Sequence, residues 1–81
     1  MTGGKNMRSE VLKVLLDEYP NIDFESSDAL VDQGILDSLT ITGIIAALSM
    51  EFGIMIPYED ITEDNFNSVD AMAAMVERLQ K

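Results

Sequence analysis

Three stretches of this sequence carry apolar residues at helical spacing, and none alternates apolar with polar residues as a half-buried strand does. They begin at Met7, at Ser38 and after Ser68, which is a favourable N-cap residue. Their apolar faces are Val11, Leu12, Leu15, Leu16 and Tyr19, then Ile41, Ile44, Ile45, Leu48 and Phe52, and finally Val69, Met72, Met75, Val76 and Leu79. Because each helix has to bury its apolar face against another element, the three are predicted to pack together.

The ends of these helices also have sequence signals. Pro20 ends the first helix, and Gly53 ends the second because glycine accepts the left-handed conformation found after many helices. A short fourth helix is predicted between Pro57 and Phe66, with Thr62 as its cap. The predicted fold is therefore all-α: a small antiparallel four-helix bundle with three main helices and one short helix.

The first two main helices are joined by a long loop, residues 20–37, which has no sustained helical or alternating period. A loop of this length is uncommon in a small domain and is usually either functional or a sign that an element has been wrongly assigned. Its apolar residues predict that it packs over the core, and they are Ile22, Phe24, Leu30, Val31, Ile35 and Leu36. Within the loop, Ser26, Ser27 and Asp28 are placed to start one turn of helix, and Gly34 to adopt a positive φ.

Size and composition restrict what such a bundle can do. The chain has 81 residues, enough for one modest core, so we expect a flexible lead over residues 1–6 and a single domain over residues 7–81. It has no cysteine and no histidine, which removes disulfides, the usual zinc ligands and the commonest general base. An enzyme that works with its own residues is therefore not expected, and no catalytic residue or metal ligand is assigned.

The charge is strongly negative, with a net value of −10. Residues 14–77 contain fourteen Asp or Glu and no Lys or Arg, a surface that repels nucleic acid and anionic membranes. Such a surface either attracts proteins with basic patches or only keeps a small protein soluble. The longest stretch without charge, Ser38–Met50, has thirteen residues, well short of the roughly 20 that cross a bilayer. The first six residues lack the apolar run of a signal peptide. The expected protein is a soluble, cytoplasmic monomer.

The acidic residues do not form a calcium-binding loop of the EF-hand type. That loop needs glycine at its sixth position and glutamate at its twelfth. Counting from Asp60 gives Asn65 and Ala71, and counting from Asp23 gives an aspartate and a glycine. Neither start fits, so no metal site is predicted.

The segment from Gly34 to Leu39 places Asp37 and Ser38 at the start of the second helix. Asp-Ser before an apolar helix is most often a cap, in which a side chain accepts a backbone N–H of the first turn. The same helix end also favours an attached phosphate, because it combines free N–H groups with the positive end of the helix dipole. On these residues alone, a capping role and a modification site both stay open.

Three segments of the chain, taken in order, resemble a known family. They are Asp32–Leu39 (DQGILDSL), Phe52–Pro57 (FGIMIP) and Asn65–Val69 (NFNSV). They are similar to the phosphopantetheine-binding carrier domains, which comprise the acyl carrier proteins, the peptidyl carrier domains and the D-alanyl carrier proteins. The signature there is Asp-Ser-Leu at the start of the second helix, followed by Phe-Gly-(apolar)-x-(apolar)-Pro. The resemblance covers about residues 7–80 and implies an acyl-carrier-like bundle.

By that resemblance the protein is a small freestanding carrier and not an enzyme, with a covalent 4'-phosphopantetheine arm on Ser38 that holds acyl or aminoacyl groups as thioesters. A phosphopantetheinyl transferase attaches the arm: the Ser38 hydroxyl attacks the pyrophosphate of coenzyme A, with Mg²⁺ supplied by the transferase. Asp37 is implied to orient the segment and contact the transferase, and Leu39 to make apolar contact with partners. An acyl- or aminoacyl-adenylating ligase then loads the arm, and a downstream transferase or synthase receives the cargo.

The second helix departs from the pattern of fatty-acid carriers, which have several carboxylates there for basic partner enzymes; here only Glu51 is acidic. This difference favours a peptidyl or D-alanyl carrier. The expected docking residues are Leu39, Gly43, Ala46 and Met50, which form a small or apolar stripe away from the core face, together with Met55 and Ile56. Such a stripe is equally typical of ordinary helix surface, and Gly43→Arg or Met50→Glu is expected to weaken loading. The alternative is an adaptor, a helical interaction module in which Ser38 is only an N-cap.

Overall fold

The computed structural model describes residues 6–80 and shows no β-strand within that range. Its four α-helices are α1 (Met7–Glu18), α2 (Ser38–Phe52), α3 (Glu63–Phe66) and α4 (Val69–Leu79), with a short 3₁₀ helix over Tyr58–Asp60. The all-α prediction is confirmed, and so are the starts of the three main helices. The predicted flexible lead lies outside the described residues apart from Asn6, whose Oδ1 accepts the N–H of Ser9 at 2.8 Å and caps α1.

Side chains next to the helices satisfy the N–H groups that a helix start leaves unpaired. Thr62 caps α3, and Ser68 caps α4 by accepting the N–H of Ala71 at 3.0 Å; both caps were predicted and are confirmed. At the other end of α2, Gly53 has a φ of +62° and donates its N–H to the carbonyl of Ser49. A residue with a side chain is strained in that conformation, which explains the glycine.

One apolar core takes residues from every helix and from the loop. Its buried helical residues are Val11, Leu15, Ile44, Leu48, Phe66, Val69, Met72, Ala73, Met75 and Val76. Phe24, Leu30 and Leu36 of the loop are buried to the same degree, so the prediction that the loop packs over the core is confirmed. The prediction was wrong for Leu16 of α1 and for Ile35 of the loop, which are both exposed. No polar or charged residue among those described is buried.

Residues 29–33 of the loop form a single helical turn, in which Gln33 donates its N–H to the carbonyl of Ala29 at 2.8 Å. The turn starts where the three polar residues predicted it, since Ser27 Oγ accepts the N–H of Ala29 at 2.9 Å. Gly34 follows with a φ of +77°, as expected. The loop therefore reaches α2 as an ordered segment.

α1 contacts both α2 and α4, and α3 contacts α4. α1 and α2 run antiparallel: Tyr19, just after the end of α1, lies against Gly43 in the middle of α2, whereas Glu10 near the start of α1 shares a groove with Phe52 at the end of α2. A Cβ at position 43 would overlap the hydroxyl of Tyr19, so this close approach requires glycine. Among residues 6–80, no helix combines the length and apolar character needed to cross a bilayer.

Candidate functional site

Ser38 is the first residue of α2, and it is exposed. Its main chain is held firmly, because its carbonyl accepts the hydroxyl of Thr42 at 2.9 Å in addition to the helical bonding. Within residues 6–80, no hydrogen bond engages the Ser38 hydroxyl. The structure therefore presents this hydroxyl to solvent from the hydrogen-bonded first turn of α2.

The N-cap of α2 is Asp37. Its Oδ1 accepts the N–H of Thr40 at 2.8 Å, and its carbonyl accepts the N–H of Ile41 at 2.9 Å. The bond from the Thr40 N–H is the main reason that the pKa of Asp37 is lowered, and the nearby Thr40 side chain lowers it further. Asp37 thus fills the capping role that the adaptor interpretation gave to Ser38.

Leu36 anchors this segment in the core, two residues before Ser38. Its N–H and that of Ile35 both donate to the carbonyl of Leu30, at 3.1 and 2.9 Å. Leu30 is itself fully buried. The chain therefore leaves the core at Leu36, turns into the helix at Asp37 and exposes its side chain at Ser38.

Asn67, which precedes the Ser68 cap of α4, bonds to this same loop from the opposite end of the sequence. Its Oδ1 accepts the N–H groups of Val31 and Asp32 at 2.9 and 3.1 Å. Its Nδ2 donates to the carboxylate of Asp32 at 3.2 Å. A role for Asn67 was not predicted from the sequence, in which it is only a polar residue beside Ser68, and Ser68 is sufficient as the cap of α4.

Four of the predicted docking residues are on the surface. Leu39, Met50 and Met55 have 81, 85 and 85 % of their surface exposed, and Ala46 is also exposed. Leu39, Ala46 and Met50 share one side of α2, since their spacings of seven and eleven residues correspond to whole helical turns. Leu39 follows Ser38 directly, so this face begins at the proposed modification site.

The other two predicted docking residues need correction. Ile56 is only 8 % exposed and belongs to the core, so its side chain is not available to a partner. Gly43 lies on the docking side of α2, but the ring of Tyr19 covers it. The sequence pattern could not show either contact, because both depend on segments that are distant in the chain.

A shallow groove of about 150 Å³ lies between α1 and the second half of α2, beside Met50. Its lining residues are Val14, Asp17, Glu18, Ala47, Met50 and Glu51. The sequence showed a single carboxylate on α2, Glu51, but the fold adds two from α1. The C-terminal end of the α2 face is therefore an apolar surface with an acidic rim.

The surroundings of Ser38 fit a covalently attached phosphopantetheine group. The N–H groups of Ser38 and Leu39 precede the i to i−4 bonding of α2, and the positive end of the helix dipole points toward them. A phosphate attached to the Ser38 oxygen would lie at this end, where negative charge is favoured. Among residues 6–80, no cluster of three or more carboxylate, imidazole or thiol side chains is placed to hold a metal ion.

Comparison with protein-family models gives a match to the phosphopantetheine attachment site family over residues 6–76. A search of curated proteins finds no match. The family match spans α1 to most of α4, includes the exposed serine at the start of α2, and agrees with the resemblance seen in the sequence motifs. The chain belongs to the phosphopantetheine attachment site family, the family of acyl and peptidyl carrier proteins.

Proposed function

We propose that this protein carries acyl or aminoacyl groups on a 4'-phosphopantetheine arm attached to Ser38. The observation that supports this residue is its hydroxyl, which is exposed and free of hydrogen bonds within residues 6–80, at the first position of α2. The neighbouring carboxylate of Asp37 takes the capping role, so the hydroxyl is not needed to stabilise the helix. When bound, the arm supplies the thiol on which the cargo is held.

Attachment of the arm is a phosphoryl-group transfer. The Oγ of Ser38 forms a bond to the pantetheine-bearing phosphorus of coenzyme A, the pyrophosphate P–O bond breaks, and adenosine 3',5'-bisphosphate leaves. The hydroxyl proton has to pass to a base of the transferase. Asp37 is a poor candidate for that base, because its Oδ1 already accepts the Thr40 N–H and its pKa is lowered.

The carrier contributes position and charge to this step. Leu36 in the core and the cap at Asp37 fix the point at which Ser38 leaves the surface, so the hydroxyl can enter a transferase site without unfolding of α2. Once a phosphodiester is attached, the positive end of the α2 dipole favours its negative charge at this position.

Partner enzymes dock, in this proposal, on the exposed face of α2 formed by Leu39, Ala46 and Met50, with Met55 beside it in sequence. The acidic rim of the α1–α2 groove meets basic residues of the partner, while Met50 makes apolar contact. The partners are a phosphopantetheinyl transferase, an adenylating ligase and an acceptor enzyme. A face that is apolar along α2 fits a peptidyl or D-alanyl carrier better than a fatty-acid carrier.

Mass spectrometry after incubation with coenzyme A, Mg²⁺ and a broad-specificity phosphopantetheinyl transferase tests the proposal. The wild-type protein is expected to gain the mass of one phosphopantetheine group, and Ser38→Ala to gain none. Ser9→Ala is a matched control, because Ser9 is another exposed serine in the first turn of a helix, and it should be modified like wild type. No gain in the wild type, or an undiminished gain in Ser38→Ala, would overturn the assignment.

A further inference from the structure

The side chain of Asn67 satisfies backbone groups of the loop before α2 and none of α4. Its Oδ1 accepts two N–H groups, those of Val31 and Asp32, and its carbonyl accepts a third, that of Leu30, at 2.8 Å. These three N–H groups belong to the single turn of the loop, where a helical turn leaves its first N–H groups without internal partners. Asn67 therefore acts as the N-cap of a turn that lies 35 residues earlier in the sequence.

The bonded path continues from this turn to the modification site. Leu30 donates its N–H to the carbonyl of Asn67, and its own carbonyl accepts the N–H groups of Ile35 and Leu36. Leu36 is buried two residues before Ser38. A displacement of the turn would thus be passed to Leu36 through two hydrogen bonds and a packed side chain, and from there to the start of α2.

We propose that Asn67 is a positioning residue for the modification of Ser38, which holds the loop turn so that Ser38 is presented in one orientation. This inference rests on the proposed function of Ser38. Asn67 contacts neither Ser38 nor coenzyme A; it acts through Leu30 and Leu36. The bond from its Nδ2 to the Asp32 carboxylate orients the amide so that Oδ1 faces the two N–H groups.

Steady-state kinetics of the transferase, with the carrier protein as varied substrate, tests this role. Asn67→Ala is expected to lower kcat/KM for the carrier by about fivefold or more, because a lost hydrogen bond of about 1 kcal/mol corresponds to that factor. The KM for coenzyme A should not change, since the transferase binds coenzyme A. All variants are assayed well below their unfolding temperatures, so that loss of folded protein does not enter the result.

Asn65→Ala is the matched control for a merely structural effect. Asn65 lies two residues before Asn67, within α3, and its Nδ2 donates to the carbonyl of Asp60 at 2.8 Å, which leads to the 3₁₀ helix and not to the loop. Loss of this bond in Asn65→Ala should lower the unfolding temperature about as much as Asn67→Ala does, and it should leave kcat/KM for the carrier unchanged. Equal kinetic losses in both variants would show a general effect of destabilisation and overturn the inference.

Exchanging the side chains at positions 67 and 32 tests whether the lost kcat/KM can be restored. Asn67→Asp alone keeps an oxygen that accepts the two loop N–H groups but places two carboxylates next to each other, so it is expected to lower kcat/KM, although less than Asn67→Ala does. Adding Asp32→Asn restores one amide and one carboxylate, with the carboxylate now accepting the two loop N–H groups and the amide donating to it. The double variant should recover most of the lost kcat/KM.

The outcomes separate this inference from the proposed function. If the wild type is modified at Ser38 and Asn67→Ala reacts equally fast, only the role of Asn67 is wrong. If the exchanged pair is no better than Asn67→Asp, the Asn67–Asp32 bond does not orient the amide and the inference fails as well. If the wild type accepts no arm, the proposed function fails and the role of Asn67 with it.

Discussion

At the level of single residues, the site depends on two adjacent polar side chains with separate tasks. Asp37 accepts the Thr40 N–H and caps α2, whereas Ser38 is left exposed. If the serine were the cap, its hydroxyl would be committed to a backbone N–H and less available as a nucleophile. An aspartate directly before the serine therefore keeps the helix start stable while the hydroxyl stays free.

The capping carboxylate of Asp37 should make stability depend on pH in the acid range. Its folded-state pKa is lowered, so its contribution is present above the unfolded-state pKa and is lost as pH falls through the folded-state pKa. Thermal unfolding measured from about pH 5 to about pH 2 should show a smaller loss of stability in Asp37→Asn than in wild type, because the amide keeps the cap without titrating.

Two further variants complete that experiment. Asp37→Ala removes the cap and should be less stable than Asp37→Asn at neutral pH. Asp28→Asn makes the same change of charge at an exposed loop position. Its stability should change with pH as that of the wild type does. Identical pH slopes for wild type and Asp37→Asn would show that the Asp37 carboxylate does not contribute in this way.

At the level of elements, the antiparallel pair α1 and α2 determines what a partner can touch. Tyr19 covers the middle of the α2 face at Gly43, which leaves Leu39 at one end and Met50 at the other. Substitution of Gly43 by arginine would force Tyr19 away, so it would test packing as much as docking. Met50 is the better probe, because its side chain is 85 % exposed.

Charge removal at the α1–α2 groove should weaken partner binding. The double variant Asp17→Asn/Glu18→Gln is expected to lower kcat/KM by about two- to tenfold for a ligase that loads the holo protein, since an exposed ion pair contributes about 0.2–1 kcal/mol. Met50→Glu should lower it too, through loss of apolar contact. Both carboxylates line the groove beside Met50.

Glu59→Gln/Glu63→Gln is the control for this experiment, because it removes the same charge from exposed positions outside the groove. It should retain the rate of the wild type, and the salt dependence of loading should become weaker only in the groove variant. Equal effects of the two double variants would mean that total charge, and not the groove, attracts the partner.

At the level of the whole molecule, the loop is part of the core. Phe24, Leu30 and Leu36 are as buried as the central residues of the helices. A domain of this size has about 4–12 kcal/mol of stability in total, so each of these side chains supports a large share of it. The segment that leads to Ser38 is therefore maintained by the same packing that maintains the bundle.

Leu30→Ala should destabilise the protein by about 2–5 kcal/mol, because it removes a fully buried side chain from a packed site. Leu48→Ala makes the same change at an equally buried position of α2 and should have a comparable effect. Urea unfolding of the two variants gives the comparison. A loss below about 1 kcal/mol for Leu30→Ala would show that the loop is only loosely packed on the helices.

The helices, their caps and the position of Ser38 could be predicted because the interactions that set them lie within about four residues along the chain. Apolar spacing predicted α1, α2 and α4, and the caps at Thr62 and Ser68 followed from local residue preferences. The positive φ angles of Gly34 and Gly53 could be predicted for the same reason, since a positive φ is a property of one residue.

Contacts between segments that are distant in the chain could not be predicted from the sequence in this way. Four features depend on how the helices are placed in space. They are the bonds between Asn67 and residues 31 and 32, the burial of Ile56, the contact of Tyr19 with Gly43, and the carboxylates of α1 beside Met50. Spacing along one helix shows which face is apolar, but it does not show which neighbour covers that face. Local residue preferences therefore predicted that Ser38 lies at the start of α2, and the family resemblance proposed it for modification, whereas long-range packing shaped the surface around it.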